Sequence, residues 1–297
     1  MRERTRISGD TTPIVGLLKC MEIPTELAGR HGGIEAVYNT FLKLADSDLR
    51  VRTYDATKGE LPASVDECDA YVITGSPSSA YDEDVWIEKL AGFIQRLDEA
   101  NHPLVGICFG HQIIAKALGG RVGKSDKGWG IGVHEYVWNT AYTLESYPWF
   151  KSKHHSGSSA FVSAVASHQD VVLELPKAGV RLAGSEFCQN GMYAIGDHIW
   201  TVQTHPEFTA DFGRDLYALR RSRFSPDEYK DAITTLKMPL KPKIVSEWIR
   251  AFVEHHKMKN CRRTHFDWKK AGVWTAVCIQ GAAMAWISFR KLSTLLR

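Results

Sequence analysis

Residues Pro103–Gly120 read PLVGICFGHQIIAKALGG, and this stretch decides the architecture. Its first part, Pro103–Cys108, is a short apolar run bounded by Pro and Gly, which predicts a buried strand. The part after Cys108 has a helical apolar spacing and ends on a Gly pair. A strand that turns sharply into a helix puts the turn residue at the carboxyl edge of a sheet, where open α/β folds place their sites. Cys108 is that residue. The small Gly106 and Gly110 on either side permit the tight turn. A helix N-terminus favours a thiolate through its dipole. It also leaves the Phe109 N–H free to meet a developing oxyanion. The pentapeptide alone is also compatible with a buried core cysteine at a strand–helix turn.

The same pattern recurs outward from this stretch. Ile14–Cys20, Leu49–Ala56 and Ala70–Gly75 predict further strands. Gly33–Asp46 and Asp84–Ala100 carry apolar residues at helical spacing. Strands alternating with helices imply right-handed crossovers and a parallel sheet. Beyond Gly130 the pattern changes. Ile131–Trp138, Phe161–Ala166, Val180–Glu186, Met192–Ile195 and His198–Thr204 are strand-like with little helix between them, and Asn190-Gly191 and Gly196-Asp197 mark tight turns. Helices are expected again at Phe208–Arg223, Pro226–Leu236 and Lys241–Met258.

A nucleophilic cysteine needs a base. Among the 12 histidines, His205 stands out in Thr204-His205-Pro206-Glu207-Phe208. It ends a strand, precedes a turn-forming Pro, and has a carboxylate two residues on. His205 would exchange the proton and Glu207 would orient the ring, as the carboxylate does in other triads.

These residues carry a resemblance. GICFGHQIIAKALGG and TVQTHPEF, with ITGSPSSAYDEDVWIEKL (Ile73–Leu90) and ASHQD (Ala166–Asp170), resemble the class I (triad-type) glutamine amidotransferase family. More narrowly they are similar to its stand-alone branch related to the amidotransferase domain of GMP synthase, which includes plant γ-glutamyl peptidases. The resemblance spans roughly Thr12 to Met258. It implies a flavodoxin-like α/β fold: an open, mainly parallel sheet flanked by helices, with an added antiparallel β section. It implies Cys108 as nucleophile, His205 as acid/base and Glu207 as orienting carboxylate. Gly75 matches the second oxyanion donor, beside the Phe109 N–H, and Gln112 matches a position beside the substrate pocket. His168 is expected near the site without a catalytic role, and Trp129 at the pocket's acceptor side.

The implied reaction is cleavage of a γ-glutamyl amide through a γ-glutamyl thioester. Glutamine hydrolysis, with ammonia passed to an unknown acceptor or partner synthetase, is the first expectation. A γ-glutamyl peptidase acting on glutathione conjugates or related peptides is the alternative, and a catalytically silent regulatory module the second. A GMP synthase carries a downstream ATP-pyrophosphatase domain with a phosphate loop; here 39 residues follow Met258 and hold no such loop. No GxxxxGK[ST] motif and no metal-ligand spacing is present, so neither cofactor nor metal is expected.

Composition bounds the rest. The chain of 297 residues is 44% hydrophobic and 24% charged, which excludes a disordered or collagen-like protein. Its net charge of +3 is unevenly placed. Lys257–Arg297 has nine basic residues against one acidic, whereas the first 256 residues have 28 against 33. An acidic body argues against nucleic acid as a partner. Six cysteines without a CxxC pair read mostly as buried thiols of a reducing compartment. The polar start has no secretory apolar core, and a cytoplasmic location is expected. The organisation expected is a polar extension over 1–11, one domain over 12–258, and a basic and apolar extension over 259–297. In the latter, Ala271–Phe289 is a 19-residue run without charge. It is compatible with a segment packed on the body or a partner, a poorly ordered or mis-predicted extension, or, least favoured, a membrane anchor.

Overall fold

Along the central strands, alternate side chains enter two different apolar layers. Val15, Leu17, Ala70, Val72, Val105, Ile107, Trp200 and Val202 lie in one, and Leu18, Tyr71, Ile73, Leu104 and Ile199 in the other. That two-residue period with both faces covered is the signature of a parallel sheet sandwiched by helices. The computed structural model describes residues 12–45, 48–139, 146–150 and 161–271.

The strands are β1 (Ile14–Lys19), β2 (Arg50–Asp55), β3 (Ala70–Ile73), β4 (Leu104–Ile107), β5 (Arg121–Lys124), β6 (Gly130–Trp138), β7 (Phe161–His168), β8 (Asp170–Glu174), β9 (Gly179–Gly184), β10 (Met192–Ile195) and β11 (Ile199–Val202). The helices are α1 (Thr25–His31), α2 (Ile34–Leu42), α3 (Val85–Glu99), α4 (Phe109–Ala117), α5 (Ala210–Leu219), α6 (Pro226–Thr235) and α7 (Pro242–Ala271). Nine strands form one sheet in the order β2-β1-β3-β4-β11-β10-β9-β6-β7. The β2-β1-β3-β4-β11 half is parallel. The remaining pairs are antiparallel. The expected architecture is therefore the observed one, and Asn190-Gly191 and Gly196-Asp197 sit at the start and end of β10 where the direction reverses.

Three short elements were not anticipated: α1, β5 and β8. The last two pair only with each other; β5 is half-exposed and lacks an apolar run, and in β8 only the short Val171–Leu173 run separates two acidic residues. Two helices are shorter than their apolar spacing. α2 stops at Leu42 and tightens into a 3-10 turn over Lys43–Ala45. α5 begins after Thr209, whose side chain caps the Phe212 N–H, and its expected end at Arg223 is a 3-10 turn over Arg221–Arg223. The Ser225–Glu228 capping box with Pro226 at the first turn starts α6 where the sequence indicates.

α2 and α7 supply Tyr38, Phe41, Trp248 and Phe252 to the first layer, and α3 and α4 supply Leu90, Phe93, Ile113 and Ile114 to the second. Contacts divide the chain into two units, Met1–Lys257 and Met258–Arg297. The run 271–289 falls almost wholly outside the described residues. Among those described, no helix is long and apolar enough to cross a membrane. Cys20, Cys68, Cys108 and Cys188 are buried and free.

Candidate active site

Strands β1, β3, β4 and β11 run in the same direction, so their carboxyl ends form one edge. Register pairs Ile73 with Gly106 and Val202 with Ile107. The residues that follow, Gly75, Cys108 and His205, are thereby brought to one spot from three separate parts of the chain.

Cys108 is the N-cap of α4 and has φ 52° and ψ −100°. A side chain rarely adopts such a backbone, and the strain of about 1–3 kcal/mol persists only where neighbours enforce it. They do. The Cys108 N–H donates to the Val202 carbonyl at 2.9 Å, and the Gly110 N–H donates to the Thr74 carbonyl at 3.2 Å. The flanking glycines are required by contact. A Cβ on Gly106 would stand 2.6 Å from the Gly110 carbonyl oxygen, and one on Gly110 would stand 2.5 Å from that of Ile73. The Phe109 N–H sits in the first turn of α4, where a helix leaves its N–H groups without internal acceptors.

The backbone of His205 is fixed by its N–H donating to the Val165 carbonyl at 2.7 Å. Its ring stacks on Phe208 at 4.2 Å and an interplanar angle of 6°, and Phe208 stacks in turn on Phe212. Nδ1 of His205 lies 2.7 Å from Oε1 of Glu207. Tyr38 of α2 also donates its hydroxyl to Oε1, at 3.2 Å. Cys108, His205 and Glu207 are each less than a tenth exposed. Burial by itself lowers the imidazole's proton affinity, but the adjoining Cys108 sulfur and Glu207 carboxylate outweigh it and raise the His205 pKa above its usual value.

A second layer was not foreseen. Gln203, fully buried, has its Nε2 3.6 Å from Cys108 Sγ and donates toward it. Gln112 donates to Gln203 Oε1 at 3.2 Å and to the Asp170 carbonyl at 2.8 Å. The structure thus places Gln112 behind the sulfur, with its amide N–H groups already engaged. Asp170 is held by Ser79 at 2.5 Å and Tyr81 at 3.0 Å, so the loop after β3 is tied to β8. A buried Gln in the otherwise apolar strand end IWTVQT was the available signal for Gln203. Tyr38 carries no such signal, since an apolar helix face hides its hydroxyl.

Of the other expected residues, Gly75 adjoins both Cys108 and His205, and its backbone is within reach of the Tyr38 hydroxyl. His168 is buried, with Nδ1 3.1 Å from the Asp170 carbonyl. Burial holds its pKa well below the ordinary value, so it is neutral. Trp129 packs edge-on against Phe224 with Arg223 over its ring. The cleft at His205 is lined by Met21, Pro24, Ser76, Pro77, Ser167, Phe208, Phe212, Leu216 and Arg220. Trp129 is not among these residues next to His205. The cation–aromatic contact with Arg223 and the Phe224 edge hold it.

The family model for glutamine amidotransferase class-I matches residues 33–217. The chain belongs to this family. Among curated relatives, this amidotransferase-family chain is 38% identical over 148 residues to γ-glutamyl peptidase 3 of Arabidopsis thaliana, covering 50% of the chain and 57% of the relative. With γ-glutamyl peptidase 4 of the same plant it shares 34% over 194 residues, 63% of the chain and 72% of the relative. With one subunit of the glutamine-hydrolyzing GMP synthase from Archaeoglobus fulgidus it shares 30% over 182 residues, 61% and 89%. The chain thus spans a little over half the length of the first of these relatives. A solved glutamine amidotransferase from Methylobacillus flagellatus superposes with TM-score 0.59 at 21% identity, covering 84% of this chain and 94% of that one. One from Thermotoga maritima gives 0.58 at 20%, covering 82% and 98%. At these identities the structural matches speak for the fold.

Proposed function

We propose that the chain is a cysteine hydrolase of γ-glutamyl amide bonds, with γ-glutamyl peptides as its main substrates. The observation that carries the chemistry is the strained Cys108 beside an imidazole that Glu207 grips at 2.7 Å. The observation that favours peptides is the identity to plant γ-glutamyl peptidases, 38% and 34%. This reverses the order of the first two expectations, which put glutamine ahead.

In this reading the Cys108 sulfur attacks the γ-carbonyl carbon while His205 holds the proton taken from the thiol. The carbonyl oxygen becomes an oxyanion and receives the Phe109 N–H, with the Gly75 backbone as second donor. Collapse expels the amine, which takes its proton from His205, and leaves a γ-glutamyl thioester on Cys108. His205 then deprotonates a water that attacks the thioester, releasing glutamate and restoring the thiol. Gln203 and Gln112 position the sulfur, and Tyr38 positions Glu207.

Glutamine itself, with ammonia handed to a partner synthetase, is the second reading. Its support is the match to 89% of the GMP synthase subunit from Archaeoglobus fulgidus. The four cysteines with described side chains are all free, which supports a reducing, cytoplasmic setting.

Purified protein incubated with glutamine, glutathione and a glutathione S-conjugate separates the readings. Glutamate without ammonia from the two peptides, lost in Cys108→Ala, is the expected result. Ammonia from glutamine as the dominant product would favour the second reading. No Cys108-dependent product from any of the three would reject both.

A further inference from the structure

Among the described residues Arg220 has no carboxylate partner. It follows the last residue of α5 and is partly buried in the wall of the cleft that holds His205. The other arginines with defined ion pairs, Arg30, Arg52, Arg121, Arg214 and Arg250, each face an Asp or Glu. Among the described residues Arg220 faces none. The hydrogen bond it does make runs from Nη1 to Ser167 Oγ, at 3.2 Å. A guanidinium has five N–H donors in a planar fork, so most of its capacity is open toward the cleft.

Its neighbours in the run Arg220-Arg221-Ser222-Arg223 are engaged elsewhere. Arg221 lies over the Tyr229 ring and donates to the Phe224 carbonyl at 2.8 Å. Arg223 lies over Trp129. They add positive potential without competing for what enters the cleft. The C-terminal end of α5 makes the cation tolerable there before a ligand arrives. The cost of partly burying it is offset fully only by a negative group, for which the fork geometry matches a carboxylate.

We propose that Arg220, together with Ser167, is the subsite that binds a carboxylate of the substrate. The inference rests on the γ-glutamyl hydrolase reading, and it makes Arg220 a residue that selects for anionic substrates. Two carboxylates are available in such compounds: the one on the glutamyl α-carbon, and the one at the C-terminus of a γ-glutamyl peptide.

Kinetics of wild type, Arg220→Gln and Arg220→Lys on glutamine, glutathione and glutathione amidated at its C-terminus locate the partner. Losing a charge-assisted hydrogen-bond pair predicts a rise in KM of about 10- to 100-fold in Arg220→Gln. Little change in kcat and partial recovery in Arg220→Lys are also expected. An equal rise for all three compounds assigns the glutamyl carboxylate. A rise confined to glutathione, with the amidated peptide poor for wild type and indifferent to the substitution, assigns the C-terminal one. Calorimetry of glutathione binding to Cys108→Ala, with and without Arg220→Gln, tests the site apart from turnover. An Arg220-dependent affinity there supports the subsite even if no compound is hydrolysed, in which case only the functional reading fails. Unchanged KM and unchanged affinity, a loss confined to kcat, or no Arg220-dependent binding at all would overturn the subsite. Should Arg220→Gln fail to fold, Arg220→Met, which keeps the length of the side chain and loses its charge, is read by the same criteria.

Discussion

Gly75 and His205 meet so closely that a Cβ on Gly75 would stand 2.8 Å from the imidazole Cε1. The atom met is part of a ring clamped between Glu207 and Phe208, not the end of a flexible chain. Gly75→Ala therefore displaces the ring. Activity should fall by at least about 100-fold, and stability by about 1–3 kcal/mol, the usual range for overpacking. Steady-state assay and urea unfolding check both; an active Gly75→Ala would mean that the ring is free to move.

Glu207 should matter through His205. Glu207→Gln leaves the shape and removes the charge, and a fall in kcat of about 10³–10⁴ is expected by analogy with other triads. The pH behaviour carries a sign. The folded-state His205 pKa lies above the unfolded value near 6.5, so its contribution to stability is fully present below about pH 6.5. It is lost as pH rises through the folded-state value. Glu207→Gln removes one of the groups that raise that value, so its loss comes at lower pH. Urea unfolding of both proteins from pH 6 upward should show the two profiles separating on the alkaline side. Parallel profiles would show that Glu207 does not stabilise the imidazolium.

The strain at Cys108 gives a comparison of two dead enzymes. Ala keeps the unfavourable φ of 52°, whereas Gly adopts it freely. Relief of about 1–3 kcal/mol outweighs the greater chain entropy that Gly loses on folding, about 0.5–1 kcal/mol. Cys108→Gly should thus be at least as stable as Cys108→Ala in urea. A clearly less stable Gly variant would mean that the elbow is not strained.

The strand–elbow–helix at Cys108 and the alternation of strands and helices before it were legible because each element has its own period and its own punctuation. The triad partners were legible for a different reason. His205 and Glu207 lie two residues apart at a strand end, so their relation survives in one dimension. Gln203, Tyr38 and Arg220 did not stand out, because each acts through a contact made only by the fold. Tyr38 reaches Glu207 across 169 residues, and Gln203 reaches Cys108 across 95. The packing of Trp129 was equally hidden, because a turn tryptophan carries no sign that Phe224 and Arg223 will cover it.

Gln203 should tune the sulfur without being indispensable. Gln203→Leu removes its donor to Sγ and frees the Gln112 amide it accepted from. A loss of about 10-fold in kcat is expected, with a slower alkylation of Cys108 by iodoacetamide. Unchanged alkylation would show that the contact at 3.6 Å has no effect on the nucleophile.

The most direct test of the central claim is whether a γ-glutamyl group becomes attached to Cys108 during turnover. Intact-mass spectrometry on acid-quenched protein, caught while cleaving a γ-glutamyl peptide, measures this. One glutamyl unit mapped to Cys108, and absent from Cys108→Ala and from protein without substrate, is the predicted result. Glutamate release that persists in Cys108→Ala, with no adduct on any cysteine, would contradict the account.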